Sequence, residues 1–116
     1  MAIKEMTPVM GVLNKVTEFV FEAATAAADG LSFKLPKTID SNIVVVIQNT
    51  DTGNAHSITV KKPVAGSYYA SGDDETFELA AGAFAVFRFE SAKWADKDGT
   101  IKLVPDNAAV KAAVLY

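Results

Sequence analysis

The sequence predicts an all-β protein: a small antiparallel β-sandwich preceded by an irregular N-terminal arm. Two observations between residues 42 and 90 carry that prediction. The first is an apolar run, Ile43-Val44-Val45-Val46-Ile47, that ends at Gln48-Asn49-Thr50 and leads through a Gly-containing turn to the alternating His56-Ser57-Ile58-Thr59-Val60-Lys61. The second is a pair of segments, Thr76-Phe77-Glu78-Leu79 and Phe84-Ala85-Val86-Phe87-Arg88-Phe89, joined by Ala80-Ala81-Gly82. Two successive hairpins with turn chemistry at short spacing are the grammar of a sandwich.

The elements follow in order. Residues 1–15 read as an arm, because Pro8 and Gly11 interrupt any regular pattern. Residues 16–116 form one domain, since 116 residues suffice for one core and not for two. Val16-Thr17-Glu18-Phe19-Val20-Phe21-Glu22 is rich in β-branched and aromatic residues, so a strand is expected from about 16 to 23. The alanines at 23, 24, 26, 27 and 28 favour a helix by propensity, and they are read as an extended or briefly helical connector. Asp29-Gly30 is a turn, and Leu31-Ser32-Phe33-Lys34-Leu35 alternates until Pro36 stops it.

The strand at 43–47 is apolar on both faces, which predicts cover on both. The strand at 57–61 has a core face of Ile58 and Val60 and a wet face of Ser57, Thr59 and Lys61. Residues 62–75 form a polar loop bearing the Tyr68-Tyr69 pair. Further strands fall near 76–80, 83–90, 100–104 and 109–116, with a turn at Asp96-Lys97-Asp98-Gly99. The strand at 84–89 is again apolar on both sides, so its second face packs under the arm or against another subunit.

Composition excludes several functions. Charged residues make up 22% and apolar residues 50%, which rules out wholesale disorder. Cysteine is absent, so neither disulfides nor thiolate metal sites exist. The net charge is −3 with Arg88 the sole arginine, a poor endowment for nucleic-acid binding. No run approaches the roughly 20 apolar residues that cross a bilayer, and the N-terminus lacks the apolar centre of a signal peptide. A non-secreted protein made in the cytoplasm is expected.

Chemistry is sparse. His56 is the single histidine, so a multi-histidine metal site within one chain is impossible. At the start of a strand it reads as a hydrogen-bonded structural residue rather than a general base. Asp73-Asp74-Glu75 offers three carboxylates, but consecutive residues rarely converge on one cation, and a solvated loop is the plainer reading. Asp96-Lys97-Asp98-Gly99 opens like a calcium loop, yet Asn107 stands where the twelfth-position Glu belongs. Phosphate cradles and nucleophile elbows are missing, so no enzyme, no cofactor and no metal is expected.

The remaining candidates are contact residues. Tyr68, Tyr69 and Trp94 suit interface anchors or a sugar-stacking platform, and Ile3, Met6, Val9 and Met10 would let the arm order on a partner.

One resemblance adds to this reading. Phe21-Glu22-Ala23-Ala24, Ala28-Asp29-Gly30-Leu31-Ser32-Phe33, the strand Ile43–Ile47 with Gln48-Asn49-Thr50, and Ser57-Ile58-Thr59-Val60-Lys61 are similar to elements of small head-module structural proteins of tailed bacteriophages and prophages. The Ala80-Ala81-Gly82 turn, Asp98-Gly99-Thr100-Ile101 and Val110-Lys111-Ala112-Ala113-Val114 fit as well. The resemblance implies a virion protein, foremost a capsid decoration (cement) protein on the capsid surface. Its partners would be the major capsid protein or other virion subunits, with homo-oligomers on the virion and neither nucleic acid nor membrane involved. A head-completion, spike or tail protein, or a carbohydrate-binding adhesin module, are the alternatives.

Overall fold

A computed structural model describes residues 3–36, 42–63, 74–96 and 98–116. Nine strands occur among them: β1 (Lys4–Glu5), β2 (Glu22–Ala23), β3 (Leu31–Lys34), β4 (Val44–Asn49), β5 (His56–Val60), β6 (Glu75–Leu79), β7 (Phe84–Phe87), β8 (Thr100–Pro105) and β9 (Val110–Leu115). They form two sheets, ordered β1-β3-β8-β5-β6 and β2-β9-β4-β7. Every pair is antiparallel except β1–β3. The predicted sandwich is present.

The connectivity has a simple physical origin. Strand β5 pairs with β6, β4 with β7, β3 with β8, and β2 with β9. These four pairs are successive stretches of one long antiparallel ribbon, folded back on itself between β5 and β6. Rolled up, the ribbon places alternate stretches in opposite sheets, which is the topology of a jelly roll. Strand β1 adds a fifth member beside β3.

That roll corrects both expected hairpins. Strands β4 and β5 lie in different sheets, and so do β6 and β7. The short turns at 50–55 and 80–83 are corners where the two legs of the ribbon cross side by side from one sheet to the other. Turn chemistry at short spacing is the same for a hairpin and a sheet-switching corner, so local sequence cannot separate them.

Asn49 holds the crossing together. Its side chain is fully buried, and its amide donates to the carbonyls of Asn54 (3.0 Å), Leu79 (3.3 Å) and Ala80 (3.2 Å). Its Oδ1 accepts from the Asp51 N–H at 3.0 Å, and Gly82 N–H donates to the Asp51 carbonyl at 2.9 Å. One side chain therefore satisfies carbonyls on both legs.

The core fills by alternation. Val45 and Ile47 of β4, Ile58 and Val60 of β5, and Ile101 and Leu103 of β8 are all buried between the sheets. At the corner between β2 and β3 a 3-10 turn (Ala27–Asp29) ends the alanine run, so the helical tendency is spent in one turn. Gly30 follows with φ of +79°, and a Cβ there would stand 2.7 Å from the Leu103 carbonyl oxygen. Only glycine permits that approach.

Two other expectations change. The strand anticipated at 16–23 shrinks to Glu22–Ala23, because residues 17–21 lie over the outer face of the β2-β9-β4-β7 sheet rather than in its ladder. The arm, in turn, is less irregular than its Pro8 and Gly11 suggest. Lys4 N–H donates to Gly30 O and Met6 N–H to Ser32 O, extending one sheet, while Val9 and Gly11 bond to Val114 and Tyr116 at the edge of the other. Thr7 N–H donating to Glu22 Oε2 fixes the passage between them. The expected loop at 62–75 lies largely outside the described residues.

Removing the corner amide isolates its contribution. Asn49→Ala strands three carbonyls at a buried crossing and should lower unfolding free energy by about 2–4 kcal/mol. Urea titration with an unchanged m-value checks it; a loss well under about 1 kcal/mol would show that the corner does not depend on Asn49.

Candidate interaction surface

The polar clusters resolve into structural contacts. His56 Nε2 lies 2.9 Å from Asp51 Oδ2 and Nδ1 lies 3.2 Å from Asp106 Oδ1. The ring thus links the corner after β4 to the turn after β8, and both nitrogens can donate together only when the imidazole carries two protons. Asp51 also caps its own turn, accepting from Gly53 N–H at 2.9 Å and from Asn54. The Gly53 amide first, then His56 and Asn54, hold its carboxyl down at about 2. Asp51 therefore belongs to the corner that Asn49 clamps.

The acidic candidates are engaged by cations of the chain itself. Asp74 accepts from Lys61 Nζ and from Lys62 N–H, both at 2.7 Å, and these two bonds lower its carboxyl below the usual range. Glu75 pairs with Lys93 at 3.2 Å. Asp73 lies outside the described residues. In the Asp96-Lys97-Asp98-Gly99 stretch Gly99 N–H donates to Asp96 O and Asp98 Oδ1 accepts from Thr100 N–H, while Lys97 lies outside the described residues. Among the described residues no group of three or more His, Asp or Glu side chains is arranged to hold a metal ion. No helix among them is long and apolar enough to cross a membrane.

The contact residues divide sharply. Ile3 and Met10 are exposed, whereas Val9 is half-buried beside the end of β9. Met6 is buried between the sheets, so it is a core residue and not a contact of the arm. Trp94 is corrected in the same way. It closes a one-turn helix, α1 (Ser91–Trp94), and is only 4% exposed. Its ring meets Phe87 edge-on at 6.3 Å between centroids, and Lys93 Nζ sits 4.9 Å from its own centroid. Phe87 stacks on Phe89, and Phe89 meets Phe33, so Trp94 plugs one end of the sandwich. Tyr68 and Tyr69 lie outside the described residues.

The exposed apolar surface is elsewhere. After Gly11 the chain turns through Val12–Lys15, with Asn14 in the left-handed region, and runs to Phe21. Leu13 is 87% exposed, Val16 96% and Val20 77%. Phe19 and Phe21 turn the other way, meeting each other at 5.5 Å, and Phe21 meets Phe84 at 6.1 Å. Phe19, Thr17, Val44 and Leu115 line a cleft of about 320 Å³ between this segment and the sheet.

The outer face of that sheet is therefore only half covered. Ala113, on the same face as Lys111 and Leu115, is buried. Val46 pairs with both Ala113 and Val86, yet Val86 is 63% exposed and Phe84 64%. The double-sided apolar character of the strands at 43–47 and 84–89 has its answer in part: the chain's own 16–21 segment covers the middle and touches Phe84 through Phe21, and the outer face of β7 stays mostly exposed. Sequence reasoning missed Val16 and Val20 because a strand at 16–23 would have paired that stretch in the sheet, and Leu13 because the contacts of the arm were sought at Ile3, Met6, Val9 and Met10. Their signal was the β-branched run itself, which needs a partner wherever it is not paired.

A second apolar feature lies beside β7. Strands β6 and β7 are the edges of opposite sheets on the same side, and the gap between them forms a cleft of about 290 Å³. Ile47, Val60, Phe77, Leu79, Ala85 and Phe87 line it, with Glu78 the one charged residue among the described ones. Comparison with protein-family models, curated proteins and solved structures finds no match for this chain.

Two measurements test these placements. Trp94→Ala should cost about 3–5 kcal/mol in unfolding free energy, as for a large aromatic lost from a core; a near-neutral result would return Trp94 to the surface. Acid titration tests the corner. The Asp51 carboxyl is depressed in the folded chain from its ordinary 3.8 to about 2, so its stabilisation is complete above about pH 4 and is lost as pH falls towards 2. Stability of the Asp51→Asn protein should fall less steeply than wild type over that window, and parallel acid profiles would contradict the assignment.

Proposed function

We propose that this protein is a virion structural protein, a decoration (cement) protein that binds the outside of a tailed-phage head through protein–protein contacts. The observation that carries the reading is the exposed apolar stretch from Met10 to Val20, continuous with the mostly exposed outer face of β7. Apart from Phe19, which packs towards the sheet, the apolar side chains of this stretch point into water and gain little from the sandwich beneath them. Covering the stretch with a partner removes apolar area from water at roughly 25 cal/mol per Å².

The fold is compatible, since jelly rolls serve in capsid and lectin domains alike, but a fold does not select between them. The discrimination comes from the surface. A sugar platform was expected to include Trp94, which is buried, and most of the exposed apolar residues among those described are aliphatic, with Phe84 the most exposed aromatic. Aliphatic side chains suit a protein groove better than a stacked sugar ring. The resemblance to head-module proteins points the same way. Bound across junctions between capsid subunits, the protein would stabilise the shell it prefers by mass action.

Purified protein mixed with mature and immature capsids provides the test. Saturable, symmetric binding to the mature form is expected, and Leu13→Asp with Met10→Asp should weaken it at least about tenfold, the effect of about 1.4 kcal/mol, without shifting the melting temperature. Absence of binding to any capsid form, together with absence from virions, sinks the reading.

A further inference from the structure

Strand β7 and residues 16–20 are complementary halves of one contact. Strand β7 is the last strand of its sheet, and among the described residues its backbone ladder runs only to β4. Edge strands are ordinarily blunted by charge or proline. Phe84-Ala85-Val86-Phe87 carries neither, shows Phe84 and Val86 to solvent on one face, and opens on the other into the cleft between β6 and β7.

Residues 16–20 are the converse. Val16-Thr17-Glu18-Phe19-Val20 has the composition of a strand, yet no backbone hydrogen bond among the described residues holds it, and Val16 and Val20 face water. The chain cannot join these two halves by itself. Gly11 is bonded to Tyr116 at the end of β9, and Glu22 is paired to Ala112 in β2, at the edge of the sheet opposite β7. Reaching the free side of β7 in the plane of the sheet means crossing about 19 Å, four strand spacings. A second copy has no such tether.

We infer that copies of this chain associate head to tail, residues 16–20 of one molecule pairing as an added strand along the free edge of β7 in the next. Main-chain bonds supply the affinity, as in other strand additions. Alternation supplies the fit. Val16 and Val20 share a face, placing them beside Phe84 and Val86, while Phe19 leaves the cleft on its own sheet for the cleft lined by Phe77 and Phe87 of the next molecule. A contact between two different patches is heterologous, so it propagates into a ring or a filament rather than closing as a two-fold dimer.

The inference needs no capsid, so it stands or falls separately from the decoration reading. Light scattering on the full chain across a dilution series should show concentration-dependent oligomers. The Val86→Asp protein keeps its donor segment and loses its edge; the Val16→Asp/Val20→Asp protein does the reverse. Each alone should be monomeric, with association weakened at least about tenfold. Mixed in equal amounts they should form a one-to-one dimer and nothing larger, because one intact donor and one intact edge remain.

Circular dichroism confirms that each variant is folded, which its exposed positions favour. Should either fail to fold, Phe84→Ser and Val16→Asp serve as the second pair. A wild-type protein that is monomeric at every concentration overturns the inference. So does a mixture that stays monomeric while the wild type associates, since that outcome marks a self-complementary face.

Discussion

The buried amide of Asn49 is the interaction on which the rest of the architecture depends. A ribbon of paired strands must cross three times between the sheets to roll up, and at each crossing both its legs have to leave one sheet and enter the other at the same place. The backbone groups freed at such a corner are shielded from water and cannot be left unpaired. Asn49 meets the carbonyls of one leg at Leu79 and Ala80 and of the other at Asn54. Asp51 then extends the clamp, capping its own turn and reaching His56, which in turn touches Asp106 on the next turn of the roll. The single histidine is thereby a strut between corners.

Much of this was legible from the residues, and the parts that were not share a cause. Alternation placed Ile58 and Val60 on an inner face correctly, because burial with period two is a local property of a strand. Partnership is not local. Val44–Asn49 and His56–Val60 look like the arms of a hairpin, yet each pairs with strands far along the chain. The same limit explains residues 16–21. Their composition announced a strand, and the tether of Gly11 and Glu22 at one edge of the sheet left no free ladder for most of it. Trp94 was misplaced for a different reason. A lone aromatic in a polar stretch reads as exposed, but one helical turn suffices to point it inward at Phe87.

The contact surface inherits its asymmetry from the roll. In the β2-β9-β4-β7 sheet Phe19 lies over β9 and β4 and Phe21 reaches Phe84, while β7, at the edge of the sheet, keeps Phe84 and Val86 largely in solvent. The opposite sheet faces water with Thr59, Thr76, Glu78 and Lys102, and it needs no cover. One face of the molecule is thus finished and the other is not. That distribution suits a protein that presents one side to solvent and the other to neighbours.

The unfinished side also explains why a β-branched run would be retained in a segment that its own sheet does not pair. If Val16 and Val20 served only the monomer, polar residues would do as well, since both side chains point into water. If Phe84 and Val86 served only the monomer, an alternating polar face would suffice, as it does on β5. Each feature alone is an exposed apolar surface that solubility disfavours. Taken together they have matching length, matching period and opposite needs: a strand without a sheet, and a sheet edge without a strand. The jelly roll positions them on one chain while its tethers keep them from meeting there, and that constraint turns a liability of the monomer into a specification for assembly.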